Sequence, residues 1–156
     1  MKIYRSNSEA QTRAFGRRFG KTLRNATVIA LEGELGAGKT QFVKGLARGL
    51  GVKHIIQSPT FVLMRVYPVN QKKIKWLVHL DCYRLSSVQD LLDIGLADYL
   101  EQEQAVIAIE WANKVRTLLP KEHSTIRLSL TGPDQRKIAV FCSTSGARIG
   151  TRGTSR

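Results

Sequence analysis

Cysteine is nearly absent from this chain: Cys82 and Cys142 are its only two, too few for a disulfide scaffold. Carboxylates are scarce as well. Twelve Asp and Glu face 25 Lys and Arg, a formal charge of +13, so the chain is no disordered acidic tail. No window offers the ~18 consecutive apolar residues of a membrane-spanning helix. Met1-Lys2-Ile3-Tyr4-Arg5-Ser6 turns polar at once and carries no apolar signal stretch, so the expected compartment is a reducing cytoplasm. Aromatics make up only 7% of the chain, and Phe61, Tyr67 and Trp76 fall on segments that read as core strands. That leaves no interleaved aromatics to stack exposed bases. Internal repeats are absent too. What is present is 156 residues, 42% of them hydrophobic, a one-domain length that buries about 68–70% of its unfolded surface.

The positive charge is uneven. Residues 1–24 carry +6, residues 25–80 another +6, residues 81–125 carry −4 and residues 126–156 carry +5. The basic parts suit a polyanion such as RNA, or simply keep the surface solvated. The acidic interruption (Asp90, Asp93, Asp98, Glu101, Glu103) suits a basic protein face.

Hydrophobic periodicity predicts alternating strands and helices. Ile3–Arg5 reads as a short strand, and Ser6-x-x-Glu9 as a capping box before a helix with apolar positions Ala10, Ala14, Phe15, Phe19 and Leu23. Thr27–Leu31 is a buried strand running into a glycine-rich turn. Phe42, Val43, Leu46, Ala47 and Leu50 form a helical stripe capped by Gly51. Strands are expected at Phe61–Tyr67, Trp76–Leu80 and Ala105–Ile109. Short helices are expected through Asp93 (capped by Ser86 or Ser87), at Ala97–Leu100 and at Trp111–Leu118. Thr125–Leu130 and Lys137–Phe141 alternate as a hairpin around Gly132-Pro133-Asp134. Residues 143–156 are Ser, Thr, Gly and Arg with one Ala and one Ile, the pattern of a flexible basic tail. The fold class is therefore α/β, with a mostly buried mixed sheet flanked by helices in residues 1–142.

Gly33-Glu34-Leu35-Gly36-Ala37-Gly38-Lys39-Thr40 satisfies G-x-x-x-x-G-K-[ST] between a predicted strand and a predicted helix. Chance would produce that match about 0.01 times in a chain of this composition. Glycines let backbone N–H groups converge on phosphate oxygens, and the helix N-terminus adds its dipole. Lys39 can reach the β- and γ-phosphates and the Thr40 hydroxyl can ligate Mg²⁺. The expectation is a nucleoside triphosphate site formed by Glu34, Leu35, Gly36, Ala37, Gly38, Lys39, Thr40 and Gln41.

Two apolar strands end in a carboxylate, Asp81 and Glu110, at the sheet edge where open α/β folds bind ligands. One acid can serve the Mg²⁺ and the other orient an attacking water, although Asp81 could instead merely cap Tyr83–Leu85. Ser58-Pro59-Thr60-Phe61 lies between the phosphate loop and Asp81. It is either a switch segment sensing the γ-phosphate or a plain Ser-Pro turn.

Four stretches together resemble the TsaE (YjeE) family: Gly33–Thr40, Ser58-Pro59-Thr60-Phe61, His79-Leu80-Asp81-Cys82-Tyr83-Arg84-Leu85 and Ile109-Glu110-Trp111, with Gly95-Leu96-x-Asp98-Tyr99 in keeping. The resemblance implies a single-domain P-loop ATPase over residues 1–142, binding ATP or ADP with Mg²⁺. It also implies work with a TsaB–TsaD heterodimer that places threonylcarbamoyl on the adenosine beside the anticodon of tRNAs reading ANN codons, with the tRNA itself met indirectly or weakly. By the same resemblance Lys39 contacts phosphate, Thr40 and Glu110 serve the metal, Thr60 lies in a switch, and Asp81 positions water. Individual roles for His79, Tyr83, Arg84 and Trp111 do not follow from it. Gln41 stands where many members have a second Thr; its amide can still bond phosphate. Cys82 fills a variable slot and is expected to pack rather than react, and the tail is outside the family's pattern.

Two other readings compete. A small-molecule kinase would need an arginine-bearing lid, for which Lys72–Lys75 is too short. A stand-alone RNA-binding protein with a nucleotide sensor fits the charge but lacks the stacking aromatics.

Overall fold

The continuous apolar runs at Thr27–Leu31 and Ala105–Ile109 demand cover on both faces of a sheet, and both faces are covered. A computed structural model describes residues 1–142; the tail expected at 143–156 lies outside the described residues. Its elements are β1 (Lys2–Ser6), α1 (Glu9–Thr22), β2 (Thr27–Glu32), α2 (Lys39–Leu50), β3 (Met64–Pro68), β4 (Trp76–Asp81), α3 (Val88–Asp93), α4 (Leu96–Glu101) and β5 (Ala105–Glu110). A 3₁₀ segment Ala112–Leu118 and the strands β6 (Ser124–Leu130) and β7 (Arg136–Cys142) follow.

All seven strands form one mixed sheet in the order β1-β7-β6-β2-β5-β4-β3. Its centre, β6-β2-β5-β4, is parallel, and antiparallel strands flank it on either side. Alternate residues split the core. Ile29 and Leu31 of β2, with Val106 and Ala108 of β5, pack under Phe15, Phe19, Phe42 and Leu46 of α1 and α2. Val28, Ala30, Ile107 and Ile109 point the other way, against Leu91 of α3, Leu96 of α4 and Val115 of the 3₁₀ segment. Among the described residues no helix is long and apolar enough to cross a membrane.

Three local expectations change. The first helix is capped by Ser8, not Ser6: the Ser8 hydroxyl accepts from Gln11 N at 3.2 Å, and Asn7 N donates back to Gln11 Oε1 at 2.8 Å. Ser6 is held in the sheet opposite Arg136 and cannot begin a helix. Ala10 and Ala14 face solvent, and Thr12, Gly16 and Gly20 join Phe15 and Phe19 on the buried side.

The strand expected from Phe61 begins only at Met64. The Pro59 carbonyl accepts from both Val62 N (3.0 Å) and Leu63 N (2.7 Å), folding residues 60–63 into a turn. Phe61 is therefore 83% exposed, with the Arg84 guanidinium 4.8 Å over its ring, and Trp76 at the mouth of β4 is 37% exposed. Only Tyr67 of the three aromatics is buried in the core, so the absence of exposed rings inferred from sequence is wrong for the other two.

The last expected helix is a 3₁₀ segment broken at Val115 (φ −127°, ψ 30°) and preceded by Trp111 in the left-handed region (φ 59°). The hairpin and the short helices α3 and α4 lie where periodicity placed them, with Ser87 as the cap of α3 in a reciprocal capping box with Asp90.

Candidate nucleotide site

The stripes of β4 and β5 that face α2 start apolar and end polar. Leu77, His79 and Asp81 follow one another on β4, and Val106, Ala108 and Glu110 on β5. Asp81 and Glu110 are register partners on adjacent parallel strands, and Leu31, where β2 runs into the glycine-rich loop, pairs Glu110 from the other side. Topology alone thus brings together the loop and the two strand-end acids, at the strand ends where open α/β sheets bind ligands.

Gly38 precedes α2 with φ 99°, a conformation that favours glycine, and no side chain caps the helix. The first N–H groups of α2 have no intrahelical partner and face the loop with the positive end of the dipole. At its first turn, Thr40 Oγ1 donates to Glu110 Oε2 at 3.0 Å. Glu110 Oε1 lies 2.8 Å from His79 Nε2, both groups buried. A carboxylate can only accept, so that nitrogen carries the proton and fixes the Glu110 rotamer. The second ring nitrogen of His79 is buried with no hydrogen-bond partner.

Asp81 gathers the Ser-Pro segment. Thr60 Oγ1 donates to its Oδ2 at 2.7 Å, Ser58 Oγ to the same oxygen at 3.3 Å, and Tyr83 N to Oδ1 at 2.9 Å. The Tyr83 contact is the local cap that sequence allowed, so Asp81 caps the turn and faces the cavity at once.

Lys39 is 5% exposed. Its ammonium donates to the carbonyls of Gly33 (2.7 Å) and Glu34 (2.9 Å) and lies 3.8 Å from the centre of the Trp111 ring. Burial lowers its pKa, and the nearby Glu110, Asp81 and Glu34 partly offset that. A desolvated cation on weak acceptors is well placed to exchange them for an anion.

These groups line a cavity of about 340 Å³ with Leu35, Gly36, Gly38, Gln41, Tyr83 and Glu9. Of the expected binding residues, Glu34 turns its carboxylate out to Leu130 N (3.1 Å), and the Ala37 methyl is buried in the core, leaving both only backbone groups to offer. The Gln41 amide is already engaged at both ends, by Arg13 Nη1 (2.8 Å) and Glu9 Oε2 (2.9 Å). Sequence reasoning missed Glu9, and also Arg136, whose Nε is buried without a partner behind Gly38. Neither belongs to a motif that carries phosphate or metal chemistry; Glu9 reads only as part of a capping box. Their signal was only that the start of α1 and the last strand must pass near the loop.

Among the described residues, two without glycine's freedom adopt positive φ, Leu63 (64°) and Trp111 (59°), on the segments that follow Thr60 and Glu110. Such strain costs about 1–3 kcal/mol per residue and collects at functional sites. Cys82, one residue past Asp81, is buried, and burial pushes its thiol pKa up to about 12, so it packs rather than reacts.

Residues 6–138 match the family model described as threonylcarbamoyl adenosine biosynthesis protein TsaE. The chain belongs to the TsaE family. It is 41% identical over 135 residues to the tRNA threonylcarbamoyladenosine biosynthesis protein TsaE of Treponema pallidum, covering 86% of this chain and 96% of that one. The TsaE of Nostoc sp. is 38% identical, covering 97% of this chain and 93% of that one. The crystal structure of Bacillus subtilis YdiB superposes with a TM-score of 0.70 at 31% identity, over 88% of this chain and 82% of that chain. As a TsaE protein, the chain has its place in tRNA threonylcarbamoyladenosine biosynthesis.

Proposed function

We propose that this protein is a Mg²⁺-dependent, cytoplasmic ATPase. It would act with a TsaB–TsaD heterodimer in adding threonylcarbamoyl to the adenosine beside the anticodon of tRNAs reading ANN codons, hydrolysis resetting the complex. The observation that carries this reading is the 3.0 Å contact of the P-loop hydroxyl, Thr40, with the strand-end acid Glu110. Thr40 and Glu110 would hold the Mg²⁺, which when bound neutralises phosphate charge. Backbone N–H groups of Gly36–Thr40 bind the β- and γ-phosphates, and Lys39 moves from its two carbonyls onto them. Asp81 accepts a hydrogen bond from water and aims it at the γ-phosphorus. A P–O bond to the water oxygen forms as the bond to the β–γ bridging oxygen breaks; ADP leaves with that oxygen and the electron pair, and the water's proton leaves with the phosphate or to solvent. Thr60 and Ser58, bonded to Asp81, feel the γ-phosphate come and go.

Among the described residues no arginine lines the cavity. A group supplied in trans can raise turnover by about 10³–10⁵. Phosphate release should therefore be slow for the chain alone and much faster with TsaB–TsaD. Rapid turnover alone, unaltered by the pair, would overturn the reading.

His79 acts through Glu110. His79→Leu is expected to raise the Mg²⁺ concentration for half-maximal phosphate release about 10–100-fold, and His79→Gln, which keeps a donor, to recover part of it. An unchanged Mg²⁺ titration in His79→Leu would show that the imidazole only packs.

A further inference from the structure

We propose that the groove between α1 and α2 is a binding site for the phosphate backbone of RNA. That the RNA is a tRNA rests on the proposed function; the groove's affinity for RNA does not.

The groove, about 580 Å³, is lined by Arg13, Arg17, Arg18 and Lys21 of α1 and by Lys44 and Arg48 of α2. Among the described residues only Arg13 of these six has an acidic partner, Glu9 at 3.5 Å, and no carboxylate lines the groove. Six cations on two helices repel one another, and among the described residues five of them have no acidic partner to offset that repulsion.

Spacing gives the site its shape. Arg13, Arg17 and Lys21 recur every fourth residue along α1, as do Lys44 and Arg48 along α2, so neighbours in each row are about 6 Å apart along the axis. That is close to the step between successive phosphates of one strand. The rows are drawn together because the helices touch backbone to backbone. A Cβ on Gly45 would sit 2.0 Å from the Arg13 carbonyl oxygen, and one on Gly49 2.3 Å from that of Arg17. The glycines are thus directly beneath the cations and set the groove's width.

Charge and shape choose among polyanions. A membrane surface favours an apolar face beside the cations, whereas the uncharged lining here is only Ala14 and Gly45. A concave, two-row cationic groove instead suits a convex phosphate ridge, read without base contacts. The groove is also tied to the nucleotide cavity, since Arg13 Nη1 donates to Gln41, which lines that cavity.

The test is binding of an unmodified tRNA transcript to the full chain over a salt series. The affinity should fall about 10²–10³-fold between 50 and 200 mM salt, as release of about five counterions requires. Arg17→Gln/Lys44→Gln/Arg48→Gln should flatten the logarithmic salt slope by about 3, since each cation contributes about 1, and weaken binding about tenfold or more at 100 mM salt. All three side chains are outside the nucleotide cavity, so the variant should bind a fluorescent ADP analogue as before. Arg148→Gln/Arg152→Gln/Arg156→Gln should leave RNA binding within about threefold of the parent, because all six cations that line the groove are kept. Full RNA affinity in the groove variant, or loss in the tail variant instead, would overturn the proposal. So would polyglutamate or phosphatidylserine vesicles binding as tightly as RNA. Lys39→Ala, assayed alongside, should keep its RNA affinity whether or not the ATPase reading survives, which separates failure of one from failure of the other.

Discussion

Lys39→Ala is expected to lower phosphate release by about 10²–10³-fold while leaving the fold intact, the loss typical of removing one preorganised group that stabilises developing charge. The separation of function from stability follows from the resting contacts. Lys39 is buried, its charge is desolvated, and its hydrogen bonds are to the carbonyls of Gly33 and Glu34. Removing a costly buried cation offsets losing those bonds and the Trp111 contact, so the melting temperature should stay within about 2–4 °C of the parent, the equivalent of about 1 kcal/mol. Lys39→Arg should not rescue, because a planar fork cannot replace a compact ammonium between two carbonyls and an indole face. The lowered pKa sets a pH dependence. Nucleotide affinity should fall as pH rises through the Lys39 pKa, at a pH below that of an ordinary lysine. Stability moves the other way: where the unfolded chain still binds the proton and the folded chain has lost it, stability rises with pH. Calorimetric titration with ADP and thermal melts over the same alkaline range check both signs. A melting temperature that collapses in Lys39→Ala would show that the lysine is chiefly structural.

Sequence was a good guide wherever a local pattern carries the physics. The buried strands β2, β4 and β5 announce themselves as apolar runs, and the acids at the ends of β4 and β5 follow by counting. It was a poor guide where non-local pairing decides. Ser6 carries the signature of a helix cap, yet the ladder with β7 claims it and hands the cap to Ser8. Phe61 has the composition of a strand residue, yet the Pro59 carbonyl draws the chain into a turn and exposes the ring to Arg84. His79, Glu9 and Trp111 reach the site through contacts spanning tens of residues, which no spacing rule encodes. The Gly16-x-x-x-Gly20 and Gly45-x-x-x-Gly49 pairs were readable but have meaning only once α1 and α2 are known to be packed against each other.

Gly45→Ala should lower the melting temperature substantially, against the direction of helix propensity. An alanine inside a helix gains about 1 kcal/mol over glycine when nothing stands in its way. Here the added methyl would lie 2.0 Å from the Arg13 oxygen and 2.8 Å from the Arg13 carbonyl carbon, both backbone atoms that no rotamer change can move. Only displacement of α1 relieves the overlap, and such overpacking costs about 1–3 kcal/mol beyond the propensity gain. The expected net fall is therefore about 2–12 °C for a domain of this size. Gly49→Ala, with its Cβ 2.3 Å from the Arg17 oxygen, should behave alike. The double variant should lose less than the sum, since one displacement of α1 clears both contacts and the sites are coupled. Because α2 begins at Lys39, a shift at this seam also reaches the phosphate loop, so ADP affinity should fall together with stability. Stabilisation of about 1 kcal/mol in either single variant, as propensity alone would give, would show that the two helices are not in backbone contact in solution.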